Sequence, residues 1–199
     1  MAYLTLQEAR AAFLRSQSGK RTRKAATEVL HEAVASVSQT QKFDIFLSHS
    51  LHDAEVIAGV KAYLEEQGKT VYVDWMDDSQ LSREAVTAAT AEVLRVRMKM
   101  SRSLIFATSE SSPKSKWMPW ELGYFDGLHT GKVAVLPLVV NHGDKFKGQE
   151  YLGLYPLVEE LTVSGSKRKV AFVTRGHGSK TFIRMNDFFE GKTDFELIG

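Results

Sequence analysis

From Phe43 onward, short apolar runs alternate with amphipathic helical spans, and this alternation limits the possible folds more than any other feature of the chain. Phe43-Asp-Ile-Phe-Leu47, Thr70-Val-Tyr-Val-Asp74, Ser103-Leu-Ile-Phe-Ala-Thr108 and Lys132-Val-Ala-Val-Leu-Pro-Leu-Val139 each read as a strand. Helices are predicted between them. The first runs from Asp53 to Glu66, with Val56, Ile57, Val60, Tyr63 and Leu64 on one face and Gly68 placed as a C-cap. The second runs from near Glu84 to Met100, and the third passes through Trp120 to Leu128. Near-continuous apolar strands belong to a parallel sheet with both faces covered. Right-handed crossovers then give an open, doubly wound, mostly parallel α/β fold.

Composition narrows the function classes. With 199 residues and 43% hydrophobic content, the chain can bury a full core, which excludes a mostly disordered protein. The absence of Cys excludes disulfide scaffolds, Cys-ligated zinc and thiol catalysis. No apolar run approaches the roughly 18 residues of a membrane span. The N-terminus lacks the basic-then-apolar order of a secretory signal, so a cytoplasmic location is expected. The net charge of +2 is too small to imply nucleic acid or an anionic membrane as partner. Residues 1–40 hold six Lys/Arg against three Asp/Glu, whereas residues 41–199 hold 20 against 21. Arg21-Thr-Arg-Lys24 is best read as a solvated helix end.

Two units are expected: a helical leader, 1–40, and a domain, 41–199, with an extension after about 140. Helices are predicted over 5–16 and 22–37; in the second, Ala26, Val29, Leu30, Ala33, Val34 and Val37 share a face. Such a leader could pack on the domain, self-associate or hold a partner, and the sequence leaves all three open. In the extension, Lys169–Thr174 and Thr181–Arg184 flank Gly176-His-Gly178 as a hairpin or a strand–loop–strand. That glycine pair lacks a Walker spacing and reads as a plain turn.

Open α/β sheets bind ligands at the carboxyl ends of their strands. Those ends offer Ser48, His49 and Ser50, then Asp74, Trp75, Asp77 and Asp78, then Ser109 and Glu110, leading to Trp117-Met-Pro-Trp-Glu121. His49-Ser-Leu-His-Asp53 has metal-ligand residue types, but no completing ligand can be placed, and Asp53 reads better as an N-cap. A response-regulator receiver would need a phosphoacceptor Asp after its middle strand, where this chain has Ala107-Thr-Ser109. Trp117 and Glu121, four residues apart, share one helical face. The spacing alone fits either an aromatic platform beside a working carboxylate, or a core Trp beside an exposed Glu.

Taken together, these segments resemble a TIR (Toll/interleukin-1 receptor) domain of the bacterial kind. The likeness rests on Phe43-Asp-Ile-Phe-Leu-Ser-His-Ser50 with Asp53, Gly68-Lys-Thr-Val-Tyr-Val-Asp74, Ser101–Ser109 and Ser115-Lys-Trp-Met-Pro-Trp-Glu-Leu122, and covers about residues 42–140. It implies a TIR, flavodoxin-like sheet and cleavage of the bond between nicotinamide and ribose in NAD. Glu121 matches the catalytic glutamate of the family, and Trp117 its aromatic neighbour. Phe46, Ser48, His49, Ser50, Asp74 and Trp75 complete the implied substrate-binding set. The resemblance implies NAD as substrate, no other cofactor and no metal. The product would be ADP-ribose or a cyclic ADP-ribose isomer serving as a signal in bacterial anti-phage immunity, as in Thoeris-type systems. Implied partners are further TIR surfaces in self-association and a downstream nucleotide-sensing effector. The chain departs from the family pattern in a longer helix before Ser101 and in residues 141–199. The alternative from a different class is a non-enzymatic TIR–TIR interaction module, or an effector that mimics a host adaptor. It draws on the leader and on the loop after Asp74.

Overall fold

The computed structural model describes residues 2–38, 40–49, 53–75, 87–110, 115, 117–162 and 169–197. Strands β1 (Leu4–Thr5), β2 (Phe43–His49), β3 (Val71–Val73), β4 (Ser101–Thr108) and β5 (Val133–Val139) are joined by helices α1 (Leu6–Ser16), α2 (Ala26–Ala35), α3 (Ala54–Glu66), α4 (Ala88–Lys99) and α5 (Trp117–Leu128). A 3-10 turn (Glu150–Leu154), β6 (Leu157–Thr162), β7 (Lys169–Thr174), β8 (Thr181–Arg184), α6 (Met185–Phe189) and β9 (Glu196–Leu197) follow. Sheet order is β3-β2-β4-β5-β6-β7-β8-β9. The pairs from β3 through β6 are parallel and those from β6 to β9 antiparallel. The expected doubly wound sheet is therefore present, with an antiparallel wing added by the C-terminal extension.

Strand periodicity sorts the core into two layers. Ile45, Leu47, Ile105, Ala107, Ala134 and Leu136 face one side with α1, α2, α3 and α6. Phe46, Leu104, Phe106, Val133 and Val135 face the other, with α4 and α5. Successive strand residues point to opposite faces, so each central strand supplies both layers.

The first residues belong to this core. β1 pairs in parallel with β5, Leu4 opposite Leu138 and Thr5 opposite Val139. An isolated bridge joins Ala2 to Glu160 of β6. Pro137 lies between the pairing of Val135 with Leu157 and that of Leu138 with Leu4, a break between partners where a missing N–H is tolerated. Thr5 caps α1 reciprocally with Glu8. α1 packs on α3 so closely that a Cβ at Gly59 would lie 1.9 Å from the Ala9 carbonyl oxygen. Arg15 binds Glu66 through two nitrogens, at 3.0 and 2.9 Å, and Arg10 binds Asp53 at 2.5 Å. Of the fates open to the leader, packing on the domain is the one adopted by these residues.

Asp53 caps α3 as expected, accepting the Val56 N–H at 3.1 Å. Gly68, at φ +79°, ends it. The tail forms a true antiparallel ladder, Val173 opposite Ile183, closed by the Gly176–Gly178 turn. Among the described residues no helix is long and apolar enough to cross a membrane.

Candidate active site

Strand order reverses between β2 and β4: β2 leads to β3 on one side, and the chain then crosses to β4 on the other. The carboxyl ends of these strands frame the crevice where doubly wound sheets hold ligands. α5 lies across it. Ser115 Oγ accepts the N–H groups of Trp117 and Met118, each at 3.2 Å, which caps the helix. Pro119 fits the first turn because its missing N–H has no intrahelical acceptor there.

This geometry brings Glu121 against the end of β2. The Ser48 hydroxyl donates to Glu121 Oε2 at 2.5 Å, with Ser48 1% and Glu121 4% exposed. Of the two readings of the Trp117–Glu121 spacing, an exposed Glu is excluded. A buried carboxylate is costly unless hydrogen bonded, so it marks either a structural network or a working group. Trp117 is itself 9% exposed and packs edge-on against Trp120, ring centroids 5.4 Å apart. It presents a rim rather than an open platform. Phe46, two residues before Ser48 and on the same face, is fully buried and tilted against Tyr72 at 5.4 Å. It supports the crevice from below.

His49 and Trp75 gather separately. His49 points to the face opposite Ser48, its Nε2 3.1 Å from the Asp74 carbonyl oxygen and its ring stacked on Trp75 at 5.9 Å. Trp75 packs against the α1–α3 layer, whereas Glu121 rests on the α4–α5 side. The candidates thus form two groups at one strand end: Ser48, Glu121, Trp117 and Phe46, and, across β2, His49, Asp74 and Trp75. Ser50, Asp77 and Asp78 lie outside the described residues. No group of three His, Cys, Asp or Glu among the described residues is arranged as metal ligands.

Tyr72 was not anticipated. It shares the Phe46 face, and its phenol is pushed well above the usual value, first by burial and then by the negative charge of Asp74, with Glu121 adding to it and Arg97 opposing. Its position two residues before Asp74 was the available signal. A carboxylate oriented by a hydroxyl in such apolar surroundings can stabilise a developing positive charge or hold sugar hydroxyls.

Two curated proteins are similar to this chain in sequence. "Probable 3′ cyclic ADP-D-ribose synthase ThsB′" of Bacillus cereus (strain MSX-D12) is 45% identical over 168 residues, covering 83% of this chain and 85% of that protein. The chain belongs to the ThsB′ family of TIR proteins. "Putative cyclic ADP-D-ribose synthase TIR2" of Cytobacillus dafuensis is 33% identical over 114 residues, covering 57% of this chain and 29% of that protein. No family model matches the chain. The ThsB′ match is longer than the 42–140 likeness read from motifs, so the family resemblance extends beyond that segment at one end or both.

Proposed function

We propose that this ThsB′-family protein cleaves NAD between nicotinamide and ribose and closes the remaining ADP-ribose on itself, yielding a cyclic isomer that acts as a signal in Thoeris-type anti-phage defence. One observation carries the reading: the buried Glu121 carboxylate, held by Ser48 at the switch point of a chain 45% identical to a protein named as a cyclic ADP-ribose synthase.

Nicotinamide carries its positive charge before it departs and leaves as a neutral ring, so the step needs no general acid. As the bond breaks, positive charge moves to the ribose ring, as in glycoside hydrolysis. Glu121 faces that charge and accepts hydrogen bonds from the ribose hydroxyls, with Ser48 fixing its orientation. Trp117 and Phe46 supply the apolar surroundings that strengthen this interaction and exclude water. A hydroxyl of the adenosine ribose then attacks the anomeric carbon and releases its proton to solvent, so the ring closes without a water molecule being consumed. Water in its place would give ADP-ribose. TIR self-association completes the pocket, and a nucleotide-sensing effector receives the product.

The test is mass spectrometry of NAD incubated with wild-type protein and with Glu121→Gln. Wild type releases nicotinamide and a co-product lighter than ADP-ribose by one water, and Glu121→Gln releases neither. Equal turnover by the folded variant overturns the assignment of Glu121. A co-product of ADP-ribose alone overturns cyclisation.

A further inference from the structure

A groove opens at the carboxyl ends of β4 and β5, lined by Pro119, which helical geometry places opposite the Trp117–Glu121 face of α5, and by Met118 at the flank of that face. It has two lobes joined by Ser109 and Glu110, which line both. The first, of about 200 Å³, has an apolar lining of Phe106, Met118 and Leu152 and a wall formed by the Phe146 ring. The second, of about 460 Å³, runs along Val139 toward Lys145. Glu110 and Lys147 are exposed and stand at the rim of the first lobe.

The aromatic wall is held from behind. Phe146 meets Tyr3 edge-on at 6.4 Å, and Tyr3, 4% exposed, lies on the His177 ring at 4.7 Å. His177 Nδ1 is 2.9 Å from Glu159, which also accepts the Thr174 hydroxyl at 2.5 Å. Burial, with Glu159 adding, raises the Tyr3 phenol to about 12, so its ring stays neutral. A Cβ at Gly148 would lie 2.7 Å from the Phe146 ring and 3.0 Å from Leu152, so a larger residue here would displace the ring.

The groove carries both signs, with Lys145 and Lys147 beside Glu110 and Asp144. Lys145 and Lys147 form no ion pair among the described residues, and each lines one lobe. The backbone N–H of Lys147 donates to Glu110 Oε1 at 3.2 Å, fixing the carboxylate against that segment.

We propose that this groove is a nucleotide site, distinct from the Glu121 crevice, with a purine against Phe146, ribose hydroxyls on Glu110 and a phosphate between Lys145 and Lys147. A concave apolar lobe with an aromatic wall takes a flat heteroaromatic ring. The carboxylate accepts the two hydrogen bonds of a diol, and paired ammonium groups neutralise a phosphate. The moiety comes either from a free nucleotide or from the ADP half of NAD.

The test is equilibrium dialysis of the full chain with radiolabelled AMP. Wild type binds AMP; Lys145→Glu/Lys147→Glu weakens binding about tenfold or more, the loss of charge-assisted contacts to phosphate. Gly148→Val, which pushes Phe146 aside, weakens it too. Glu121→Gln leaves AMP binding unchanged, so the result stands apart from the reading of Glu121. Steady-state kinetics of the double lysine variant separate the sources. A raised KM for NAD with kcat retained assigns the groove to the ADP half, and an unchanged KM assigns it to a free nucleotide. No AMP binding to wild type at millimolar concentration, or equal affinity in wild type and the folded double lysine variant, overturns the proposal.

Discussion

Gly59→Ala separates helix propensity from packing, because the two predict opposite signs. In an isolated helix the change stabilises by about 1 kcal/mol. Here the new methyl would stand 1.9 Å from the Ala9 carbonyl oxygen, 2.4 Å from its carbon and 3.2 Å from its Cα. Attractive contact begins near 3.5 Å, so α1 must retreat from α3 by about 1.5 Å. The obstructing atoms are backbone and cannot rotate aside, which puts the penalty at the upper end of the ~1–3 kcal/mol typical of overpacking. Subtracting the propensity gain leaves a net loss of about 2 kcal/mol, a fall in Tm of roughly 4–8 °C for a chain of this size. Gly123→Ala in α5 is the control, since nothing lies within 4 Å of its added methyl. It raises Tm through propensity alone. Thermal melts followed by circular dichroism read both variants. A Gly59→Ala protein as stable as wild type would refute the close crossing of α1 and α3, and with it the place of the N-terminal segment in the core.

Other outcomes follow from particular contacts. Ser48→Ala removes the donor to Glu121 and, under the proposed function, lowers kcat for NAD about 10–100-fold, while leaving a buried carboxylate less satisfied at about 1–3 kcal/mol in stability; a rate equal to wild type would show that Ser48 does not orient Glu121. Burial is the largest influence on the Asp53 carboxyl and raises it, but the hydrogen bonds from Arg10 and the Val56 N–H, with the charge of Arg10, outweigh it, so its folded pKa lies below the ordinary aspartate value. Its contribution is therefore fully present above the unfolded value and is lost as pH falls through the lower folded value. In Asp53→Asn, urea stability changes less across that acid range than in wild type, and identical pH profiles would contradict the pairing. Removing residues 1–38 strips β1, α1 and α2 from the shared core, so the remainder loses its cooperative melt; a truncated chain that melts like wild type would contradict the integration.

The central sheet was legible because its information is local. Phe43–Leu47, Ser103–Thr108 and Val133–Val139 are apolar on nearly every position of both faces, the composition of strands covered on both sides. Asp53 and Gly68 carry their cap chemistry within a few residues. β6 was not legible: Leu-Val-Glu-Glu-Leu-Thr reads as a polar stretch, yet Glu159 and Glu160 are both buried. What makes this possible is remote in sequence, with Thr174 and His177 serving Glu159 and Lys169 serving Glu160. β1 is two residues long and has no periodicity to detect. At the site, Trp117 and Glu121 could be placed on one face by spacing, but the burial of Glu121 depends on Ser48, 73 positions earlier. The separation of His49 from Ser48 follows from strand alternation alone and could have been read from the sequence.

The pairing of β1 with β5 imposes an order on folding. Leu4 leaves the ribosome 134 residues before Leu138, the residue it must lie beside. Closing so large a loop is entropically expensive and slow, and contacts of this separation lengthen folding times. During synthesis the α1 face has no sheet to cover, and Ala9, Ala12 and Phe13 stay in water until β2 and α3 have emerged. This early segment therefore docks late, and until it does the edge of β5 stands open to any passing strand.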